Sequence, residues 1–372
     1  MQAIILVGGE GTRLRPLTCN TPKPMVPIAN RPFLERMMTH LKSHGITDII
    51  LAMCYLPDRI QNYFGDGSDL GLKITYVMEP LPLGTAGAIK NIADQVELTD
   101  SVLVFNGDVL TDVDLGAMLD FHVERHSMAT IALTPVEDPT PYGVVQRDAE
   151  GRVQRFIEKP GWDAITSNLI NAGIYVIEPS VLRYAPPHLH FMFESGLFPV
   201  LLQVGEPVYG YPTNAYWIDI GTPQRYLAVH HDLLMGQIRM QFQGEARGNN
   251  VWVGADSIID PTAKITGPVV IGNNCTIGRN ARLTGPVVMG DGCTVGADCV
   301  LEDVVLWQGA EIHNQVMLKT CVIADHTNIG DNSWITNGAI IGDCVTVGSG
   351  NRLEHGIKIW PHRTIEPSTI TF

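Results

Sequence analysis

The chain is short of positive charge. Against 39 Asp and Glu it has 25 Lys and Arg, a formal net charge of −14. A general nucleic-acid surface needs a basic field, so no nucleic-acid partner is expected. A phosphorylated ligand would have to be held by local cations or a metal against the field of the whole molecule. Long apolar runs are also missing. Nothing approaches the roughly 20 consecutive apolar residues of a membrane-spanning helix, and no membrane association is expected. The N-terminus shows no basic region or cleavage signature, because its apolar residues pass at once into a strand pattern. The seven cysteines are odd in number and without CxxC spacing. That fits a reducing compartment, and the expected location is cytoplasmic. Apolar residues are plentiful, at 45% against 17% charged, so the 372 residues suffice for two globular domains.

The first cations are concentrated. Leu6 to Pro24 reads LVGGEGTRLRPLTCNTPKP, placing three glycines, Arg13, Arg15 and Lys23 just after the apolar run AIILV. Such a run ending in glycine predicts a buried strand entering a loop. A dinucleotide fingerprint anchored on Gly9 and Gly11 needs a third glycine where Leu14 stands. A P-loop needs Gly-Lys-Ser/Thr, which is absent. Both motifs fail, yet a glycine loop after a first strand still exposes backbone N–H groups to an anion. The nearby cations would supply charge for the same anion.

From residue 1 to about 110 strand and helix patterns alternate. DIILAM (48–53), KITYVM (73–78) and VLVFNGD (102–108) read as strands, while Phe33 to Leu41 and Ala88 to Val96 carry helical spacing. This predicts an α/β architecture with a mainly parallel sheet, whose ligands sit beyond the carboxyl ends of its strands. The glycine loop and Asp108 both fall at such ends.

The texture changes at Val253. Aliphatic residues recur every six positions (Val253, Ile259, Ile265, Ile271, Ile277 and Leu283 begin the series), often followed by glycine, with a small residue four positions on. ITGPVVIGNNCTIG (265–278) and LTGPVVMGDGCTVG (283–296) repeat at a distance of 18, three hexapeptides. That is the signature of a left-handed parallel β-helix of hexapeptide repeats. The phase slips by one residue twice between Trp307 and Ile323, then holds. Cys275, Cys293 and Cys299 occupy the small interior position, so packing accounts for them. The expected division is a first domain over 1–241, a linker over 242–250 and the β-helix over 251–372.

The opening segment, followed in order by LGTAGA (83–88), NGD (106–108), YGVV (142–145), EKP (158–160), NAGIY (171–175) and WIDIGTP (217–223), resembles the sugar-1-phosphate nucleotidyltransferase family. With the appended repeats it looks most like the mannose-1-phosphate guanylyltransferase branch. The resemblance covers essentially the whole chain. It implies a Rossmann-like nucleotidyltransferase domain, an NTP and a sugar 1-phosphate as substrates, Mg²⁺ as cofactor, and NDP-sugar and pyrophosphate as products. It further implies nucleotide contacts from Leu6, Gly8, Gly9, Gly11, Thr12, Arg13, Glu79, Gly84 and Thr85. Asn106, Gly143, Glu158, Lys159 and Asn171 would hold the sugar phosphate. Arg13, Lys23 and Lys159 would be catalytic, and Asp108 and Asp219 the metal ligands. Taken alone, Lys23 between two prolines reads as an exposed loop lysine, and Asp108 as a turn residue.

Glu79 stands where many uridylyl and thymidylyl members carry glutamine. A carboxylate accepts the adjacent N1–H and N2 donors of guanine and is mismatched to the single donor of uracil or thymine. GTP with mannose 1-phosphate is therefore the expected pair; were Glu79 to point to solvent, backbone groups would read the base. Before Phe198, mannose enzymes usually carry Lys-Glu or Arg-Glu, whereas this chain has HFMFESGLFP. UTP or dTTP with glucose 1-phosphate thus stays open. So does a non-catalytic regulatory subunit that binds a nucleotide sugar. An acyltransferase built on His313, His326 or His355 is a further alternative, weaker than a role for the β-helix in homo-oligomer contacts.

Overall fold

A computed structural model describes every residue except Thr166, Arg239 and Phe372. The chain divides into two compact units, Met1–Glu10 with Leu34–Asp219, and Gly11–Phe33 with Ile220–Phe372. Packing thus cuts the chain elsewhere than at the expected 241/251 boundary. Within the expected linker, Glu245–Ala246 is a strand paired antiparallel with Val251–Val253.

In the first unit, β1 (Gln2–Leu6), β2 (Asp48–Met53), β3 (Lys73–Met78) and β4 (Val102–Asn106) form a parallel row in the order β4-β1-β2-β3. Ile49 to Met53 are all buried, as expected of a strand covered on both faces. The helices between them are α1 (Phe33–Ser43), α2 (Pro57–Phe64) and α3 (Gly84–Ala93). After β5 (Val109–Thr111) and α4 (Leu115–Glu124) come β6 (Ala129–Pro135), β7 (Gly143–Arg147), β8 (Val153–Glu158) and β9 (Leu169–Ile177). The unit closes with α5 (Phe198–Gln203), β10 (Val208–Pro212) and β11 (Trp217–Asp219). β9 runs antiparallel to both β4 and β6 and so extends the sheet beyond its parallel row. Its register shifts between Asn171 and Tyr175. Gly173 lies there at φ +72°, and a Cβ on it would fall 2.7 Å from Asn106 Nδ2. Only glycine lets β9 close against the end of β4 at this bulge.

The second unit contains α6 (Pro223–Leu234) and the β-helix. Val251, Val269 and Val287 pair in successive coils, 18 positions apart. Met289 pairs with Leu306, and Leu306 with Ile323, each 17 apart; Ile323 to Ile341 returns to 18. The two slips therefore lie within Leu301–Leu306 and Leu318–Ile323, so the first precedes Trp307, earlier than the sequence pattern placed it. They fall on the same side of two stacked coils, which keeps Val300–Leu306 and Met317–Ile323 paired along their length.

The small interior position also does hydrogen-bonding work. Cys293 Sγ donates to the Trp307 carbonyl at 2.9 Å, Cys299 Sγ to His313 at 2.8 Å, and Thr327 Oγ1 to Gly342 at 2.9 Å. Each ties a coil to the next. His326 and His355 sit at left-handed corners, φ 52° and 57°. Burial pushes the Cys293 thiol up to about 12 and raises Cys275, Cys299 and Cys321 as well. Thiolate is the reactive form, and Cys344 is exposed. A native-state titration with an aromatic disulfide reagent is expected to modify Cys344 first and to reach these four only after denaturant is added.

Candidate active site

β1 is the hub of the first unit. Leu6 pairs with Ala52 on one side and Asn106 on the other, so the residues that follow β1, β2 and β4 emerge side by side. The Gly107 N–H donates to the Leu6 carbonyl at 3.0 Å, and a Cβ on Gly107 would run into that carbonyl. Asp108 follows immediately. Gly8 lies between Cys54 and Glu79, where a Cβ would sit 3.3 Å from Cys54 Cβ and 3.6 Å from Glu79 Oε1. Gly9 is different: nothing lies within 4 Å of its Cβ position. Packing therefore makes no demand for glycine there, whereas an anion approaching bare backbone does.

Glu79, just past β3, is 7% exposed. Its Oε2 accepts the Leu83 N–H at 2.9 Å. Burial raises its carboxyl above the ordinary value, and the Leu83 bond opposes that only in part. A solvent-pointing Glu79 is overturned. Gly84 opens α3 at φ +74°, with its Cβ position 2.8 Å from the Phe191 carbonyl. Thr85 Oγ1 accepts the Phe193 N–H at 2.7 Å and donates to Glu194 Oε2 at 3.3 Å. Both residues clamp the segment Phe191–Glu194.

Glu194 is the residue that sequence reasoning missed. Its Oε1 accepts from Tyr175 Oη at 3.2 Å, and Tyr175 Oη accepts from Asn171 Nδ2 at 2.8 Å. It thus links α3 to β9. The available signal was an acid inside the apolar run FMFESGLF, which needs partners when buried. The departure at Ser195–Gly196 has a packing cause, since a Cβ on Gly196 would fall 2.6 Å from the Phe191 ring. Nearby, Asn106 Oδ1 is buried with no hydrogen-bond partner among the described residues, an unsatisfied acceptor.

Glu158 pairs with Gly143, and a Cβ on Gly143 would lie 2.9 Å from Glu158 Oε2. Lys159 follows at φ +45°, its Nζ 3.9 Å from Glu158 Oε1. A left-handed lysine is a sparsely populated conformation. Asp219 on β11 pairs with Val109, the first residue of β5, which Asp108 directly precedes. Tyr142 Oη donates to Asp219 Oδ2 at 3.2 Å. Among the described residues no third His, Cys, Asp or Glu joins them as a metal cluster. Two hard carboxylates, with the rest of the shell left to phosphate and water, suit Mg²⁺.

The remaining candidates lie in the second unit. Gly11, at φ +63°, would place a Cβ 3.0 Å from Lys23 Cβ, and Thr18 Oγ1 donates to its carbonyl at 2.8 Å. Thr12 and Arg13 are exposed on a single 3₁₀ turn. Lys23 opens a second such turn and is only 8% exposed, which overturns its reading as an exposed loop lysine.

A family profile described as nucleotidyl transferase matches residues 2–236. The chain belongs to this family. The resemblance drawn from the ordered motifs is thereby borne out, as is the α/β-plus-β-helix architecture, and the protein is a nucleotidyltransferase. A second profile, the LbH domain of EIF2B subunit epsilon, matches residues 247–353. A mannose-1-phosphate guanylyltransferase of Mycobacterium tuberculosis is 41% identical over 73% of this chain and 75% of its own length. The mannose-1-phosphate guanylyltransferase catalytic subunit beta of Danio rerio is 36% identical over 99% of this chain and 98% of its own. Among solved structures, HddC of Yersinia pseudotuberculosis complexed with GMP-PN is 31% identical with a TM-score of 0.54, covering 62% of this chain and 99% of its own.

Two outcomes are expected of this nucleotidyltransferase. Gly9→Ala should leave the melting temperature unchanged while raising the nucleotide KM by about tenfold or more, the scale of one lost backbone contact. A fall in melting temperature with KM retained would mark Gly9 as structural. For Glu194, burial holds the folded-state carboxyl above its unfolded value. Its contribution to stability is then complete below the ordinary Glu range and lost as pH rises through the raised value. Denaturation midpoints of the wild type should fall relative to Glu194→Gln as pH rises from the ordinary Glu range through the raised value; parallel midpoints would contradict this.

Proposed function

We propose that the protein transfers GMP from GTP to mannose 1-phosphate, giving GDP-mannose and pyrophosphate. The observation that carries this is Glu79, a buried carboxylate beside the glycine loop, matched to the paired N1–H and N2 donors of guanine. Relatives named for that activity, aligned over nearly the whole chain, support the reading. An oxygen of the sugar phosphate attacks the α-phosphorus as the bond to the β-phosphate bridge breaks. Two polyanions must meet, so catalysis is chiefly positioning and charge neutralisation.

In this reading the backbone N–H groups of Gly8–Gly11, with Thr12, hold the nucleotide phosphates. Leu6, Gly84 and Thr85 border the nucleoside. Arg13 neutralises the departing pyrophosphate, Lys23 the α-phosphate and Lys159 the sugar phosphate. Asn106, Glu158, Asn171 and the Gly143 N–H orient the sugar hydroxyls. Asp108 and Asp219 would hold Mg²⁺, which when bound supplies positive charge to the phosphates. Residues 1–241 are the catalytic domain, 242–250 a connecting segment and 251–372 a β-helix that joins copies of the chain into a homo-oligomer. The reaction belongs to the cytoplasm, where both substrates are soluble.

Pyrophosphate release across the NTPs and dTTP, paired with mannose, glucose and N-acetylglucosamine 1-phosphates, tests the reading. GTP with mannose 1-phosphate should be the best pair. UTP or dTTP with glucose 1-phosphate would overturn the base assignment, and silence everywhere would favour a regulatory binding role. Guanine binds the ionised carboxylate, so the wild-type KM for GTP should rise as pH falls through the raised Glu79 value. Glu79→Gln should lose that slope; an identical slope in the variant would remove Glu79 from the base site.

A further inference from the structure

The β-helix repeat breaks its own rule at one corner. The position after each aliphatic residue is small in coil after coil: Gly272, Gly290, then Ala324 and Gly342. The pairing of Met289 with Leu306 and of Leu306 with Ile323 puts Trp307 in that column. It is 1% exposed, among the largest fully buried side chains of the protein. Neither interior packing nor the repeat accounts for a tryptophan there.

Its neighbours do. The indole Nε1–H donates to Tyr226 Oη on α6 at 2.9 Å, and Tyr226 Oη donates onward to the Pro27 carbonyl. One turn along α6, His230 Nδ1–H donates to the Tyr226 carbonyl at 2.8 Å, leaving Nε2 to accept the Ala29 N–H at 3.2 Å. Asn30 Nδ2 donates to the Met289 carbonyl at 2.7 Å, in the coil beneath Trp307. Ala29 and Asn30 are both left-handed, φ 45° and 65°. They form the two-residue turn of the hairpin that pairs Ile28 with Arg31, a turn whose type I′ geometry has φ > 0 at both central positions. The segment so pinned begins at the Lys23–Met25 turn, whose Lys23 carbonyl accepts the Val26 N–H at 3.3 Å.

We propose that Trp307 is a positioning residue for nucleotidyl transfer: through Tyr226 and His230 it fixes the backbone from Pro27 to Asn30 and so the place of Lys23. The β-helix then takes part in catalysis through one hydrogen-bond relay. This rests on the role given to Lys23 above.

The test uses the full-length protein carrying Tyr226→Phe, which removes only the hydroxyl that links the relay, with Trp307→Phe, which removes the N–H donor together with part of the indole's volume, as a second break. Trp334→Phe, whose ring lies on the outside of a coil under Arg352, is the control. Three readouts are taken: kcat and KM for pyrophosphate release, amide hydrogen exchange over residues 23–30, and melting temperature. Both relay variants should lose about tenfold in kcat, keep the KM for the sugar phosphate, and exchange faster over 23–30, while Trp334→Phe behaves as wild type. Unchanged exchange over 23–30 overturns the proposal. Faster exchange or a lower melting temperature with kcat retained also overturns it, marking Trp307 as packing only. If the wild type itself turns over no substrate pair, the functional reading fails, and hydrogen exchange alone decides whether the relay holds this segment.

Discussion

The hydrogen bond from the Gly107 N–H to the Leu6 carbonyl sets the geometry of the first unit's site. It forms where β1 and β4 end together, and it tolerates no side chain on Gly107. Without that close approach the glycine loop and Asp108 would leave the sheet on diverging paths. With it, one strand end delivers backbone donors and the next delivers a carboxylate. Gly173 makes the same kind of contact on the other side, letting β9 and Asn171 close on Asn106. These two glycines, one at a carboxyl end and one at a bulge, thus shape this end of the sheet, where open α/β sheets bind their ligands.

The chemistry asked of such a site is electrostatic. A protein of net charge −14 that brings two phosphorylated substrates together must concentrate its cations. In the proposed reading Arg13 and Lys23 of the opening segment, and Lys159 after β8, would supply that charge. The acids are arranged with equal economy. Asp219 lies on β11 and Asp108 in the turn just before its partner strand β5, while Glu79, buried, and Glu194, half-buried, sit beside backbone and hydroxyl donors that orient them. Burial raises both of the latter carboxyls, so each is poised to gain from a ligand that offers donors.

Much of this was legible in the sequence because it is local. Continuous apolar runs marked β1 to β4, and the six-residue period marked the coils with their interior cysteines. What stayed hidden depends on distant partners. β9 enters antiparallel, which no run of nine residues announces. Lys23 looks like a loop lysine between prolines, and its burial follows from Gly11 and the packing of its own unit. That α6 and the opening segment pack in one unit with the β-helix is a tertiary fact without a compositional mark. Glu194 left a faint trace as a lone acid among aromatics. Trp307 left a clearer one, as the large residue in a column of small ones, although the first of the two phase slips was placed too late.

The central claim is that a guanine nucleotide binds at the carboxyl ends of β1 and β3. Photocrosslinking with 8-azido-GTP, followed by mass spectrometry of the labelled peptides, tests it most directly. The account predicts label within residues 6–12 or 79–86, competed away by unmodified GTP. Competable label confined to the β-helix coils would contradict it.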